Sequence, residues 1–75
     1  MPDGKGERMI HRAIIVDLMR NRGSTIRQVQ HRIKTHSPTE VGRALFELRD
    51  AGKVREMGDR YEVTKEGLNM VWGER

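Results

Sequence analysis

Seventy-five residues with no cysteine and a single Phe, Tyr and Trp make one small domain, burying about 60–65% of the surface its unfolded chain would expose. Such a core has no room for an enclosed substrate cleft, and no disulfide, thiolate metal site or thiol nucleophile is available, so an independent enzyme is not expected and a reducing cytoplasm is. The net charge of +4 points to a polyanionic partner, while no signal peptide is visible and no apolar run reaches membrane-spanning length.

Met1–Gly6 holds a proline and two glycines and has no apolar period. It is expected as a flexible tail, with the domain occupying 7–75. From Glu7 to Arg22 the apolar residues Met9, Ile10, Ala13, Ile14, Ile15, Leu18 and Met19 recur at helical spacing. Ile10, Ile14 and Leu18 form one line, and Ile15 and Met19 widen it. A well-buried first helix explains that width more simply than a dimer face does. Gly23 stops the helix.

Ser24 and Thr25 can cap a second helix over 25–34, and Thr25 and Gln28 stand at capping-box spacing. Ile26, Val29 and Ile33 give the buried face, leaving Arg27, Gln28, Gln30, His31, Arg32 and Lys34 on the surface. The link Thr35-His36 is short, so the second and third helices must cross steeply. Ser37, Pro38 and Glu40 then supply a cap, a first-turn proline and a capping-box acid for a helix over 38–51. Its apolar stripe is Val41, Ala44, Leu45 and Leu48, and Gly52 ends it. VREM and RYEVT read as two strands turning at Gly58-Asp59. Thr64 caps a short terminal helix, Lys65–Trp72, whose apolar face is Leu68, Val71 and Trp72. The fold class is therefore mainly α with a small β-hairpin.

The charge is unevenly distributed. Residues 4–34 carry eight Lys/Arg against Glu7 and Asp17, whereas residues 35–75 carry seven against eight Asp/Glu. The basic surplus sits in the first two helices.

The run P-T-E-V-x-x-A-L-x-x-L-x-x-A-G-K-V from Pro38, a short hairpin, and Y-x-V-T-x-x-G from Tyr61 resemble the second half of a winged helix-turn-helix domain. The likeness is to prokaryotic transcriptional regulators in general and covers roughly residues 8–72. It implies a three-helix core with a wing, to whose sheet Ser24-Thr25 can lend a short strand, a short C-terminal helix, and sequence-specific binding of duplex DNA. The third helix would enter the major groove, with the wing and the second helix on phosphates. The alternative is a winged-helix protein–protein interaction module within a larger assembly. Pro38, Glu40, Arg43, Leu45 and Leu48 are also similar to the third helix of Z-DNA-binding winged helices. That family's Lys, Asn and Tyr contacts fall at Pro38, Gly42 and Phe46, so Z-DNA recognition is not carried over.

The resemblance makes Thr25, Arg27, Gln28 and Arg32 of the second helix candidate DNA contacts. Ser37, Thr39, Arg43, Phe46 and Arg49 are the candidates on the third helix, and Arg55 and Arg60 those on the wing. Arg43 suits two acceptors on a guanine edge or a phosphate; it also suits a solvated pair with Glu40 or Glu47, and the residues leave both open. Gly42, expected on the outward face of the third helix with Thr39, Arg43 and Phe46, costs about 1 kcal/mol relative to alanine in mid-helix. Close approach of DNA or of the second helix would explain it, as would neutral drift. Phe46 facing a groove could touch thymine methyls, but a position tucked under the wing is preferred. Arg60, beside the Gly58-Asp59 tip, is the leading wing candidate, with pairing to Glu56 or Glu62 as the competing reading. Tyr61 is read as core. The three histidines lack a completing ligand, so no metal and no cofactor are expected. A homodimer through the first and C-terminal helices would bury Ile15, Met19 and Trp72 and set two third helices on successive major grooves.

Overall fold

The computed structural model of the protein describes residues 2–71. Its elements, in order, are α1 (Pro2–Arg20), β1 (Ser24–Thr25), α2 (Ile26–Arg32), α3 (Pro38–Asp50), β2 (Val54–Met57), β3 (Arg60–Val63) and α4 (Lys65–Val71). The described chain is thus mainly helical with one small antiparallel sheet of order β1-β3-β2. Among the described residues no helix is long and apolar enough to cross a membrane.

α1 begins at Pro2 rather than at Glu7, so residues 2–6, expected as a tail, are helical backbone. Proline at a first helical position gives up no hydrogen bond, and its fixed φ suits the helix. The helix ends at Arg20, two residues earlier than Arg22. There the Asn21 backbone and side-chain amides both donate to the Asp17 carbonyl, at 3.0 and 2.9 Å, and the Ser24 hydroxyl donates to the Asn21 carbonyl at 2.6 Å. The backbone bond is the last rung of the helical ladder, and the two side-chain bonds then close the helix end and turn the chain into β1.

Ile10, Ile14, Ile15 and Leu18 of α1 are buried together with Val29, Ile33, Val41, Ala44, Leu45, Leu48, Val54 and Tyr61. Ile15 is fully buried within the chain itself and Met19 packs on the same core. The broad stripe of α1 therefore serves this core, since an apolar side chain gains about 1.5–3 kcal/mol by such burial.

α2 opens on the Thr25–Gln28 capping box. It ends at Arg32, two residues short of Lys34, because Ile33 is extended and turns its side chain into the core. The packing of α2 on α3 runs through Gly42. A Cβ there would stand 3.1 Å from Gln30 Nε2 and 3.6 Å from Ile26 Cδ1. Gly42 is buried against α2 rather than on the outward face of α3, so close approach of the second helix accounts for the glycine.

α3 starts on the reciprocal Ser37–Glu40 capping box with Pro38 in its first turn. At its other end Gly52 takes φ 78°. Gly52 N–H donates to the Arg49 carbonyl and Lys53 N–H to the Leu48 carbonyl, which is the Schellman pattern. The hairpin follows at once. Val54 pairs with Val63 and Met57 with Arg60, so its loop is Gly58-Asp59. Of the two only Gly58 has positive φ, 66°, as a II′ turn requires. β1 adds to the other edge of β3, with Ser24 opposite Tyr61. Tyr61 is buried, as expected.

Thr64 ties the hairpin to both neighbouring helices. Its hydroxyl donates to the Gly52 carbonyl at 2.6 Å and accepts from Gly67 N–H at 3.2 Å. The face that α4 turns inward is Gly67, Met70 and Val71; Leu68, expected there, is exposed. Gly67 decides this, because a Cβ at that position would run into the Lys53 carbonyl oxygen and the Val63 side chain. Trp72, assigned to this face from the sequence, lies outside the described residues.

Gly67→Ala is therefore expected to cost about 2–3 kcal/mol through overpacking against backbone. Gly42→Ala is expected near zero, since the helix-propensity gain of about 1 kcal/mol offsets displacement of the flexible Gln30 side chain. Thermal or denaturant unfolding of the two variants separates them; equal effects would show that the two glycines do not differ as described.

A pH dependence follows from the α3 cap. Hydrogen bonding to Ser37, through its backbone and then its side chain, holds the Glu40 carboxyl below its ordinary value. A carboxyl depressed on folding stabilises above its unfolded pKa, and that contribution is lost as pH falls through the folded pKa. Glu40→Gln should thus be less stable than the wild type at neutral pH, and the difference should close below about pH 4. Melts of both proteins across pH 3–7 test it.

Candidate nucleic-acid interface

The outward arc of α3 lies opposite its Val41–Leu48 stripe. Thr39, Arg43 and Phe46 stand on it, all exposed. Arg43 is exposed and makes no ion pair with a described carboxylate, although after the Ser37 hydrogen bonds and His36 its charge also helps to hold the Glu40 carboxyl down. Phe46 is 42% exposed and does not tuck under the hairpin. Its position follows Leu45 by one residue, beyond the arc that packs, and the space toward the sheet is taken by Arg49.

Arg49 is held on three sides. Its guanidinium lies 4.9 Å from the centre of the Phe46 ring, a cation–π distance. It also pairs with Glu56 at 3.1 Å and Asp50 at 3.4 Å. These contacts raise its pKa above the ordinary value, Glu56 contributing most. Burial, and then the Glu56 carboxylate, push the Tyr61 phenol up as well. Arg49 thus bridges α3 and the hairpin rather than projecting from them.

On α2 the four candidates divide. Thr25 and Gln28 are engaged with each other, Gln28 N–H donating to Thr25 Oγ1 at 3.2 Å and Thr25 N–H to Gln28 Oε1 at 2.9 Å. Arg32 forms a two-pronged bond to Asp17, Nε to Oδ1 at 3.0 Å and Nη2 to Oδ2 at 2.8 Å, and Nη2 also donates to Ser24 Oγ at 2.6 Å. The Asp17 hydrogen bond raises the Arg32 pKa further above its usual value, against a smaller opposing effect of burial. Arg32 is a cross-link between α1, β1 and α2. Arg27 is exposed and has no ion pair among the described residues.

Ser37 is occupied by the α3 cap. In the hairpin, Arg55 pairs with Glu62 at 3.2 Å. Arg60 donates to the Gly23 carbonyl at 2.6 Å, so it lies back along β1 instead of reaching from the tip. Neither of the carboxylates expected for Arg60 is its partner; strand pairing with β1 puts a bare carbonyl closer. His11 hydrogen-bonds Glu47 at 2.9 Å, joining α1 to α3.

One concave surface stands out. α2 and the turn after it form an open groove of about 750 Å³ whose lining includes Arg27, His31, Lys34, His36, Ile33 and Pro38. His31, Lys34 and His36 were not among the residues expected to bind. The signal was partial: Arg27 and His31 are four apart and share a helix face, but the bend at Ile33 that brings Lys34 and His36 to the same groove is not a periodic feature. Gln30 Nε2 donates to the Pro38 carbonyl at 2.8 Å and fixes the width between α2 and the start of α3.

Comparison with known proteins gave no match to any family model, curated protein or solved structure.

The Arg32–Asp17 contact carries a direct prediction. Arg32→Ala and Asp17→Asn should each cost about 1.5 kcal/mol, the low end for hydrogen bonds to charged groups, because the pair is partly solvated. The double variant should cost little more than either single one. Denaturant unfolding of all three checks it, and full additivity would show that the pair does not act as a unit.

Proposed function

We propose that this chain is a winged helix-turn-helix domain that binds duplex DNA sequence-specifically and regulates transcription. α3 would lie in the major groove, flanked by α2 on one side and the hairpin wing on the other. The observation that carries the reading is the outward face of α3, where Arg43 is exposed between Thr39 and Phe46 and forms no ion pair among the described residues. A guanidinium so placed is suited to the two acceptors of a guanine edge. The order of helices and strands, with a short β1 completing the sheet, supports the same reading, as does the surplus of positive charge over residues 4–34. A cytoplasmic location, expected from the lack of cysteine, goes with this proposal.

A homodimer through α1 and α4 belongs to the proposal with a narrower motive than the sequence suggested. Ile15 and Met19 are taken up by the chain's own core, which leaves the exposed Met9 and Leu68 on those two helices.

A second reading is a protein-interaction module, and one observation favours it. Phe46 is exposed with Arg49 stacked on its ring, a pairing of residue types enriched in protein interfaces.

Selection of bound sequences from a random duplex library at two salt concentrations separates the two. The proposal expects an enriched sequence and affinity that falls with salt. Arg43→Ala should then lose about 1–3 kcal/mol on the preferred site, roughly fivefold to 150-fold, and little on random duplex. Unchanged specific affinity in a folded Arg43→Ala protein would remove α3 as the reading element and leave the interaction module, with Phe46 the next residue to replace.

A further inference from the structure

The cations of this domain differ in what they are already doing. In the hairpin, residues 53–64 hold Lys53, Arg55 and Arg60 against Glu56, Asp59 and Glu62, so its charge cancels. Arg55 is paired with Glu62 and Arg60 is bound to the Gly23 carbonyl. On α3 three carboxylates outnumber Arg43 and Arg49, and Arg49 is held by Glu56 and Asp50. Residues 26–36 are different: they contain Arg27, Arg32 and Lys34 and no carboxylate. Arg32 is neutralised by Asp17, but Arg27 and Lys34 line the groove with no ion pair among the described residues. Of the carboxylates on the adjoining elements, Asp17 is taken up by Arg32, while Glu40 is hydrogen-bonded to Ser37 and also feels the charge of His36 beside the groove.

We infer that the groove formed by α2 and the turn after it is the phosphate-binding track of this protein, with Arg27 and Lys34 as its charged contacts, and that the hairpin contributes little to phosphate binding. This inference rests on the duplex-binding reading above and specifies where that duplex is held. The groove is single-signed, and the Gln30–Pro38 bond sets its width before any ligand arrives. The choice of a sugar-phosphate strand over an acidic peptide rests on charge: the groove's lining residues include Arg27 and Lys34 and no carboxylate, and a phosphate backbone needs cations along its path.

The test is the salt dependence of binding to one random duplex and one selected duplex, using the full chain and Gln variants whose melting confirms the fold. Each lost phosphate contact flattens the slope of log affinity against log salt by about 0.9. Arg27→Gln and Lys34→Gln should each lower the slope by about that amount on both duplexes, and together by about twice as much. Arg55→Gln and Lys53→Gln should leave it unchanged. If the hairpin variants flatten the slope and the groove variants do not, the inference is overturned while duplex binding stands. If the unaltered protein shows no salt-dependent duplex binding, both the inference and the reading beneath it fail. If polyglutamate binds, and Arg27→Gln with Lys34→Gln abolishes that binding without changing the duplex slope, the groove is a site for an acidic protein and the inference is overturned.

Discussion

One guanidinium fixes how the first half of the chain is assembled. Arg32 is the last residue of α2, and its fork closes on Asp17 of α1 while one prong also reaches the Ser24 hydroxyl of β1. Three elements are pinned by a planar group with donors in fixed directions, which a lysine ammonium would not reproduce. The Ser24 hydroxyl passes the connection on to the Asn21 carbonyl at the end of α1. β1 is thereby held where it can pair with β3, and the sheet is attached to the helices at that edge. A second attachment is made by Thr64, which ties the end of the central strand β3 to the C-terminal end of α3. Between these two attachments Tyr61 and Val54 close the core from the sheet side.

The crossing of α2 and α3 is set by an absence of side chain. Gly42 lets Ile26 and Gln30 come close, and Gln30 uses the proximity to bond the Pro38 carbonyl in the first turn of α3. A mid-helix glycine is unfavourable for the isolated helix, so the packing it permits must compensate. The consequence reaches the surface: the same bond shapes the groove beside α2, whose rim is cationic.

Features that span three or four residues were legible in the sequence. Both capping boxes, the glycine stop of α3 and the Gly58-Asp59 turn follow from residue types at fixed local offsets, and each is present. The candidate contacts were less legible because the partners that occupy them are remote. Arg32 and Asp17 are 15 residues apart, Arg60 and Gly23 are 37 apart, and no local rule joins either pair. Phe46 shows a related failure. A helical period places it on the flank of α3, yet whether the hairpin covers that flank depends on where Arg49 and Glu56 meet. Gly67 was visible only as the last residue of a motif, and its role appears once α4 is seen against the Lys53 carbonyl.

The same remoteness changes how the charge of α3 is weighed. By residue count α3 is slightly acidic, which argues against a DNA-reading role. Its carboxylates, however, are not free to set the field of the outward face. Glu40 is folded back onto Ser37, Glu47 is hydrogen-bonded by His11, and Asp50 shares Arg49 with Glu56. What remains without an ion pair among the described residues on that arc is Arg43, which Glu40 feels at longer range and which neutral Thr39 and Phe46 flank. A partly solvated pair still screens and is screened, so the acids are attenuated rather than erased. The relevant quantity is the set of charges without an internal partner, and on α2 and α3 that set includes Arg27, Lys34 and Arg43. Under the proposed duplex binding, Arg43 on one helix would read and the two groove cations on the other would hold, so a nearly neutral third helix does not by itself argue against a polyanionic partner.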